Sequence, residues 1–487
     1  MFDYSNYSRS SLRRSSLLES SRISSRLLAS VPSSGQVYPE SAVRRSARPW
    51  PRRVVVYCHD LFGMGNLRRM LRLSRHLLDA NEDIHVLVLS GNPAIHRFDL
   101  PERLEYVKLP CLTRGMSGNV SSKRLPALTS EMIRLRAAMI LSATKTMEPD
   151  LLLVDKKPRG ACNELDSALR YLDQQELDQQ ERICPRVLVL RDILDEPEIT
   201  RKAWKRGDYY KLLRDSFDRI LVVGERHVFD VAEAYGLDSE LQRKLRYCGY
   251  MHIAAPPRSR EEILRDRGLD PSMKTVLVSV GGGEDGARVL DAYLDAVDLR
   301  QATWQSVIVS GPELPEQDFW RVRQRARKHA NVYLSRFRDD ILSMMKACDL
   351  TVSMAGYNTL CEALSMGKPI VVVPRAGPTR EQRLRAQLMA GLGWLDAVAP
   401  DVSGPELFEA VKRRIECGVP DHAGSNDRTS SCVAPINGAV VSGAVVNGAV
   451  VNSAVVNGAV VNGAATHPVI RHDFADSYRL LIRELFE

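Results

Sequence analysis

The chain has 487 residues, 44% of them hydrophobic, and a formal net charge of +8. That length exceeds what one hydrophobic core serves and predicts two domains with appendages. No apolar run approaches the roughly 18 residues of a membrane-crossing helix. Ten arginines against Asp3, Glu19 and Glu40 put +7 of the charge in residues 1–53, which leaves +1 for the rest and predicts no nucleic-acid partner.

Residues 1–52, rich in Ser and Arg, cannot bury enough apolar surface to offset chain entropy and read as a disordered tail. The composition is shared by transit peptides and by basic segments that touch anionic lipids, so peripheral membrane contact is an expectation. The nine cysteines are scattered with no CxxC pair, the pattern of reduced thiols in a cytoplasmic protein rather than of a disulfide framework or zinc site.

From residue 53, RRVVVYCHD predicts a buried strand, followed by the glycine loop DLFGMG and the helix NLRRMLRLSRHLLDA. IHVLVLSG, PDLLLVD, RVLVLRD and DRILVVG are further apolar runs of strand length, separated by helical segments such as SEMIRLRAAMILSATKTM and AWKRGDYYKLLRDSF. Residues 256–272 read as a linker with one helix. A second series then follows through TVLVSV, the loop GGGEDGA, SVIVSG, NVYLSRF, DLTVSM and PIVVVP. Alternating short apolar strands and longer helices predict α/β architecture with two tandem Rossmann-like domains and an interdomain cleft.

The expected boundaries are 53–255 and 273–418, with a low-complexity insertion at 419–468 and a closing helix at 469–487. Inside the insertion, a pentad repeat (437–466) reads NGAVV SGAVV NGAVV NSAVV NGAVV NGAAT. A period of five flips the apolar set between strand faces at each repeat, and the run is too short to stack a solenoid core. It reads as a tandem expansion in a surface loop, with a short β-ribbon as the alternative.

Ligands in such sheets gather outside the carboxyl ends of the strands. There, Gly281, Gly283 and Gly286 fit GxGxxG, but the acid that a dinucleotide site needs after the next strand is replaced by VIVSGP. Oxyanion binding on loop and helix N–H groups is the simpler reading. The corresponding loop of the first half carries His59 and Asp60 at the strand's carboxyl end, where a general base would reach the cleft. Arg68 and Arg69, just beyond, read as a solvated helix face. In SMAGYNTLCEALSMGKPIVVVPRAGPTREQ (353–382), Asn358 or Thr359 is placed to cap a helix that Gly367 stops. Glu362 lies one turn in, positioned either for a diol such as ribose or as the acid of a capping box with Thr359.

With these motifs placed, SVGGGEDGA, SMAGYNTLCEALSMGKPIVVVPR and TREQRLRAQ resemble those of the GT-B glycosyltransferases in the family that includes MurG, most of all bacterial predicted glycosyltransferases of that group. The resemblance covers roughly 53–415 and the last helix. It implies an inverting, metal-independent transfer from a nucleotide-sugar donor, usually a UDP-sugar, to an acceptor that is a lipid, saccharide or small molecule. No cofactor is implied. Gly282 and Gly283 would approach the donor diphosphate, and Ser353, Gly356, Asn358 and Thr359 would donate to it. Glu362 would take the ribose hydroxyls, and Glu381 and Gln382 the sugar. Gly63 and Gly65 would line the acceptor side. The histidine that follows this loop in MurG-like enzymes is here Asn66, which cannot act as a base, so the base role falls to Asp60 or His59. A UDP-GlcNAc 2-epimerase-like enzyme and a non-catalytic nucleotide-sugar-binding protein are the alternatives.

Overall fold

Two parallel sheets with the same strand order organise the chain in its computed structural model, which describes residues 50–59, 64–114, 119–181, 183–299, 302–417, 455–456, 459–460 and 474–486. In the first, β1 (Arg53–Tyr57), β2 (His85–Ser90), β3 (Leu104–Lys108), β4 (Leu151–Asp155), β5 (Arg186–Arg191), β6 (Arg219–Val223) and β7 (Leu245–Tyr247) lie in the order 3-2-1-4-5-6-7. In the second, β8 (Thr275–Ser279), β9 (Gln305–Val309), β10 (Val332–Ser335), β11 (Leu350–Ser353), β12 (Ile370–Val372) and β13 (Asp396–Ala397) lie in the order 10-9-8-11-12-13. All these pairings are parallel. The fold is therefore two Rossmann-like domains in tandem. Each sheet reverses direction beside its first strand, the place where doubly wound sheets open a crevice.

The central strands are buried along their whole length save Arg191 at the end of β5, which is why they read as apolar runs in the sequence. One core packs side chains from both sheets together, including Val54, Leu153, Leu277 and Val372, while separate cores cover the far face of each sheet. Residues Arg48–Glu487 form one compact unit. Four helices matter below: α1 (Gly65–Leu78), α2 (Tyr357–Ser365), α3 (Glu381–Gly391) and α4 (Phe474–Arg483). Helix α4, the last of the chain, crosses back to the first half. Arg479 Nε donates to the His76 carbonyl of α1 at 2.9 Å, and the Phe474 ring meets that of His76.

Several local expectations need correction. AWKRGDYYKLLRDSF is two helices, Pro197–Arg206 and Tyr209–Ser216, broken where Asp208 takes a left-handed φ of 54°. The short strands β3 and β7 lie on the sheet edges, and a hairpin pairs Leu112–Arg114 with Val120–Ser122. Within the pentad repeat, Val455–Val456 pairs antiparallel with Ala459–Val460, so the described part is a ribbon. The rest of the repeat and residues 1–49 lie outside the described residues, whereas the end of the expected tail is ordered, with Trp50 packed against the core and the Arg52 N–H donating to Asp150 at 3.0 Å.

Candidate active site

The site grows from the carboxyl ends of the second sheet. Ser353 closes β11 beside Ser279 of β8, Ser335 closes β10, and Ser310 follows β9. The hydroxyls of Ser310, Ser335 and Ser353 are buried there without a hydrogen-bond partner. A buried hydroxyl left unpaired costs about 1–3 kcal/mol, so three in one row mark an edge built to meet something polar.

Helix α2 starts immediately after this edge. Its N-cap is Gly356 and no side chain caps it, so the expected caps from Asn358 and Thr359 are absent. The helix begins at Tyr357, which places Asn358 and the half-buried Thr359 inside its first turn, past the capping position. The first-turn N–H groups are thereby left open for an anion. Asn358 instead reaches across to the first half, its Nδ2 donating to the Gly65 carbonyl at 2.9 Å. Gly367 ends the α2 segment as expected, with a φ of 62°.

Glu362 forms no capping box. Its carboxylate, 1% exposed, accepts from Arg72 Nη2 at 2.7 Å and from Arg68 Nη2, both on α1 of the opposite half. Burial pulls the Arg68 guanidinium below its usual range, and Glu362 opposes that shift. Arg68 is therefore not a solvated residue, and neither is Arg69. Arg69 is 1% exposed and pairs with the fully buried Asp155 of β4 at 2.5 Å.

The glycine loop after β8 is shaped by its neighbours. Gly283 takes a φ of 94°, and a Cβ there would lie 2.2 Å from the Ser310 carbonyl oxygen. Gly283→Ala is expected to cost about 2 kcal/mol or more, through the forbidden backbone and the collision with main chain, and chemical denaturation would read it. The Gly282 carbonyl accepts from the Glu313 N–H at 2.8 Å, and the Glu313 carboxyl flanks the glycine. Burial and the neighbouring Glu284 push that carboxyl up. Arg375, pulled down by burial, pairs with Asp285 of the same loop at 3.3 Å.

Glu381 and Gln382 open α3, and both are buried. Glu381 pairs with Arg191 at the end of β5, and Gln382 Oε1 accepts from the Arg375 N–H at 3.2 Å. One turn on, Arg385 makes a bidentate pair with Asp192, both bonds 2.7 Å, and gives its third nitrogen to the Ala355 carbonyl at 2.9 Å. Tyr250 also donates to Asp192 at 3.1 Å. Tyr357 lies with Arg69 and Arg385 each 5.9 Å from its ring centre. The cleft wall is thus a belt of charge pairs joining the halves.

On the first half, His59 is buried, and its N–H donates to Asp155 Oδ2 at 3.1 Å. Asn66 braces this loop: its Nδ2 donates to the His59 carbonyl at 2.5 Å, and its Oδ1 accepts from Arg69 at 3.1 Å. Gly65 is the first residue of α1. Asp60 and Gly63 lie outside the described residues. Sequence reading overlooked Asp155, Asp192, Arg191 and Arg385. The two aspartates had a signal, since each closes an apolar run at a strand's carboxyl end. Among the described residues no group of three or more His, Cys, Asp or Glu is placed to hold a metal ion.

Two Rossmann-like domains whose facing strand ends build one polar site define the GT-B architecture. Within it, residues 276–412 match the Glycosyltransferase family 28 C-terminal domain, so the second half of this MurG-like chain carries that domain. A UDP-N-acetylglucosamine--N-acetylmuramyl-(pentapeptide) pyrophosphoryl-undecaprenol N-acetylglucosamine transferase of Elusimicrobium minutum is 32% identical over 120 residues, 24% of this chain and 32% of that protein. The enzyme of the same name from Phocaeicola vulgatus is 27% identical over 161 residues, 32% of this chain and 42% of its own length. The chain therefore spans less than half of these relatives. A crystal structure of the glycotransferase of kitacinnamycin aligns over 75% of this chain and 91% of its own, with 16% identity and a TM-score of 0.49.

Proposed function

We propose that the chain is a glycosyltransferase that moves a sugar from a UDP-sugar to a lipid, saccharide or small-molecule acceptor. Residues 273–418 act as the donor domain and 53–255 as the acceptor domain. The observation that carries this reading is the uncapped N-terminus of α2 beside the unpaired Ser353 hydroxyl, with Glu362 one turn behind, inside the segment matched to the family. Open N–H groups and the helix dipole suit a diphosphate, and a carboxylate at that spacing suits two ribose hydroxyls. The N-acetylglucosamine transfer for which both relatives are named supports UDP-N-acetylglucosamine as the first donor to test.

Transfer with inversion needs a base for the acceptor hydroxyl and stabilisation of the departing diphosphate. The α2 terminus, the glycine loop 280–286 and Arg375 supply the second requirement without a metal. Donor binding moves the belt of pairs: Glu362 exchanges Arg68 and Arg72 for ribose, and Glu381 exchanges Arg191 for the sugar. Adding UDP-N-acetylglucosamine to the purified chain should raise its melting temperature, and UDP should then be released slowly by hydrolysis. If no nucleotide sugar shifts the melting temperature, the donor assignment is wrong. Binding without release would favour a second reading, a non-catalytic nucleotide-sugar-binding protein. The observation behind that reading is Asn66, whose amide is spent on His59 and Arg69.

No helix among the described residues is long and apolar enough to cross a membrane. Peripheral contact is supported by Leu125, Leu128 and Leu135, exposed by 45–47%, beside the exposed Lys123, Arg124 and Arg134. A Leu125→Ser/Leu128→Ser variant should co-sediment with anionic vesicles severalfold less than wild type, and equal sedimentation would exclude this face as the contact.

A further inference from the structure

One carboxyl at the donor edge has no cation of its own. Glu313 lies in the loop after β9, which is wedged against the glycine loop after β8. Gly311, with a φ of 82°, passes so close that a Cβ there would lie 2.4 Å from the carbonyl carbon and oxygen of Gly282. The Glu313 N–H donates to that same oxygen at 2.8 Å. With its main chain fixed in this way, Glu313 sets Oε2 3.2 Å from the point where a Gly282 Cβ would be built. The half-buried carboxyl therefore covers the side of the glycine that lacks a side chain. That is the side on which a phosphate gains close approach to the backbone of such a loop.

The buried acids of the cleft are paired: Glu362 with Arg68 and Arg72, Glu381 with Arg191, Asp155 with Arg69, and Asp192 with Arg385. Among the described residues, the Glu313 carboxyl has no ion pair and no side-chain hydrogen bond. The charged groups that act on it are Glu284 of the glycine loop and, from the first half, the exposed Lys123. The nearest arginines are held elsewhere. Arg336, which reaches the neighbouring Leu314 carbonyl at 3.4 Å, pairs with Glu316 at 2.6 Å, and Arg375 pairs with Asp285. Burial and then Glu284 hold the carboxyl above its usual range, and Lys123 opposes them.

We infer that Glu313 is a donor-binding residue that acts in its protonated form, as a hydrogen-bond donor to the diphosphate. The inference rests on the glycosyltransferase reading above and on the place of Gly282 in it. A carboxylate and a diphosphate repel each other across one glycine, and protonation turns that repulsion into an O–H···O bond. The proton comes from water as the donor binds and returns to water when the nucleoside diphosphate leaves. The sign of the linkage follows. The diphosphate raises the Glu313 pKa further, so donor affinity is highest at low pH and falls as pH rises through the raised value.

Titration calorimetry of the full chain with UDP-N-acetylglucosamine, repeated in buffers of different ionisation enthalpy, counts the protons taken up. This ligand is used because its diphosphate, unlike that of UDP, carries no group that titrates near neutral pH. Wild type should take up a fraction of a proton within about pH 5–8, the range open to a carboxyl raised by burial. Glu313→Gln should bind without that uptake. At the upper end of the range it should bind about tenfold more tightly than wild type for each unit by which the donor raises the Glu313 pKa. Glu284→Gln, which removes a neighbouring negative charge, should keep the uptake and move it to lower pH. Wild-type uptake in Glu313→Gln, or no gain in its affinity at the upper end, would overturn the inference, because a merely structural role leaves both unchanged. Donor binding by wild type without proton uptake removes only Glu313. If wild type binds no nucleotide sugar at any pH, the donor reading itself falls and this inference with it.

Discussion

Glu362→Gln should weaken UDP binding by about 100-fold in titration calorimetry. A hydrogen bond to a charged group contributes about 1.5–3 kcal/mol, and the carboxylate is proposed to accept two from ribose. Part of that gain is offset, because the free chain must first release Glu362 from Arg68 and Arg72. A net loss near 2.7 kcal/mol, or 100-fold, remains. Arg72→Gln separates the two contributions. It removes a competitor for the carboxylate and should tighten UDP severalfold, provided that Arg72 does not itself hold the diphosphate. A Glu362→Gln variant that binds UDP as tightly as wild type would remove Glu362 from the donor site. The ion pair with α1 would then be its whole role.

The second large effect is on stability. Asp192 and Arg385 are both buried, and their bidentate pair crosses from one half to the other. Asp192→Ala leaves a desolvated guanidinium facing Tyr250 and the Ala355 carbonyl, and breaking a buried pair in this way costs about 3–5 kcal/mol. The melting temperature should fall by roughly 10 °C, at about 2–4 °C per kcal/mol for proteins of a few hundred residues. Replacing both partners, as in Asp192→Leu/Arg385→Met, should recover most of that loss, because apolar side chains carry no desolvation cost. If Asp192→Ala melts as wild type does, the two halves are held by something else. The double variant also asks whether the pair serves closure: a stable protein that no longer responds to donor would separate domain docking from fold stability.

What the sequence disclosed follows from where its information is local. LLLVD and RVLVLRD were legible as strands because a parallel strand covered on both faces must be apolar at every position. LEYVK, at a sheet edge, mixes charge with apolar residues and is not among the predicted strands. The break at Gly207–Asp208 was hidden inside a strong helical period. The site behaved in the same way. Gly283 and Glu362 were singled out as candidates through short-range spacing. The arginines were misread because the burial of a charge is decided by its partner, and the partner of Arg69 is 86 positions away. Glu362 finds Arg68 at a separation of 294. A helix with Arg at positions 68, 69 and 72 looks solvated until Asp155 of its own half and Glu362 of the other are brought against it. The start of α2 was misplaced for a smaller reason: Gly356 provides the extended turn itself, so Asn358 is free to reach the other half.

The return of α4 to α1 has a consequence for how the chain can change over generations. Cys417 ends one anchored helix and Phe474 begins another, so the stretch between them joins two fixed points. Closing such a tether costs entropy that grows only with the logarithm of its length, about 0.6 kcal/mol for each doubling. Adding or losing a pentad in 437–466 changes the length by a small fraction, and folding energy scarcely registers it. Replication slippage can therefore lengthen or shorten this run nearly free of selection, and the count of pentads should drift between close relatives. The last fourteen residues have no such freedom, because losing them would strip a helix from the face of α1 that packs against it. Drift in the tether and constancy in what it delivers are two results of one crossing.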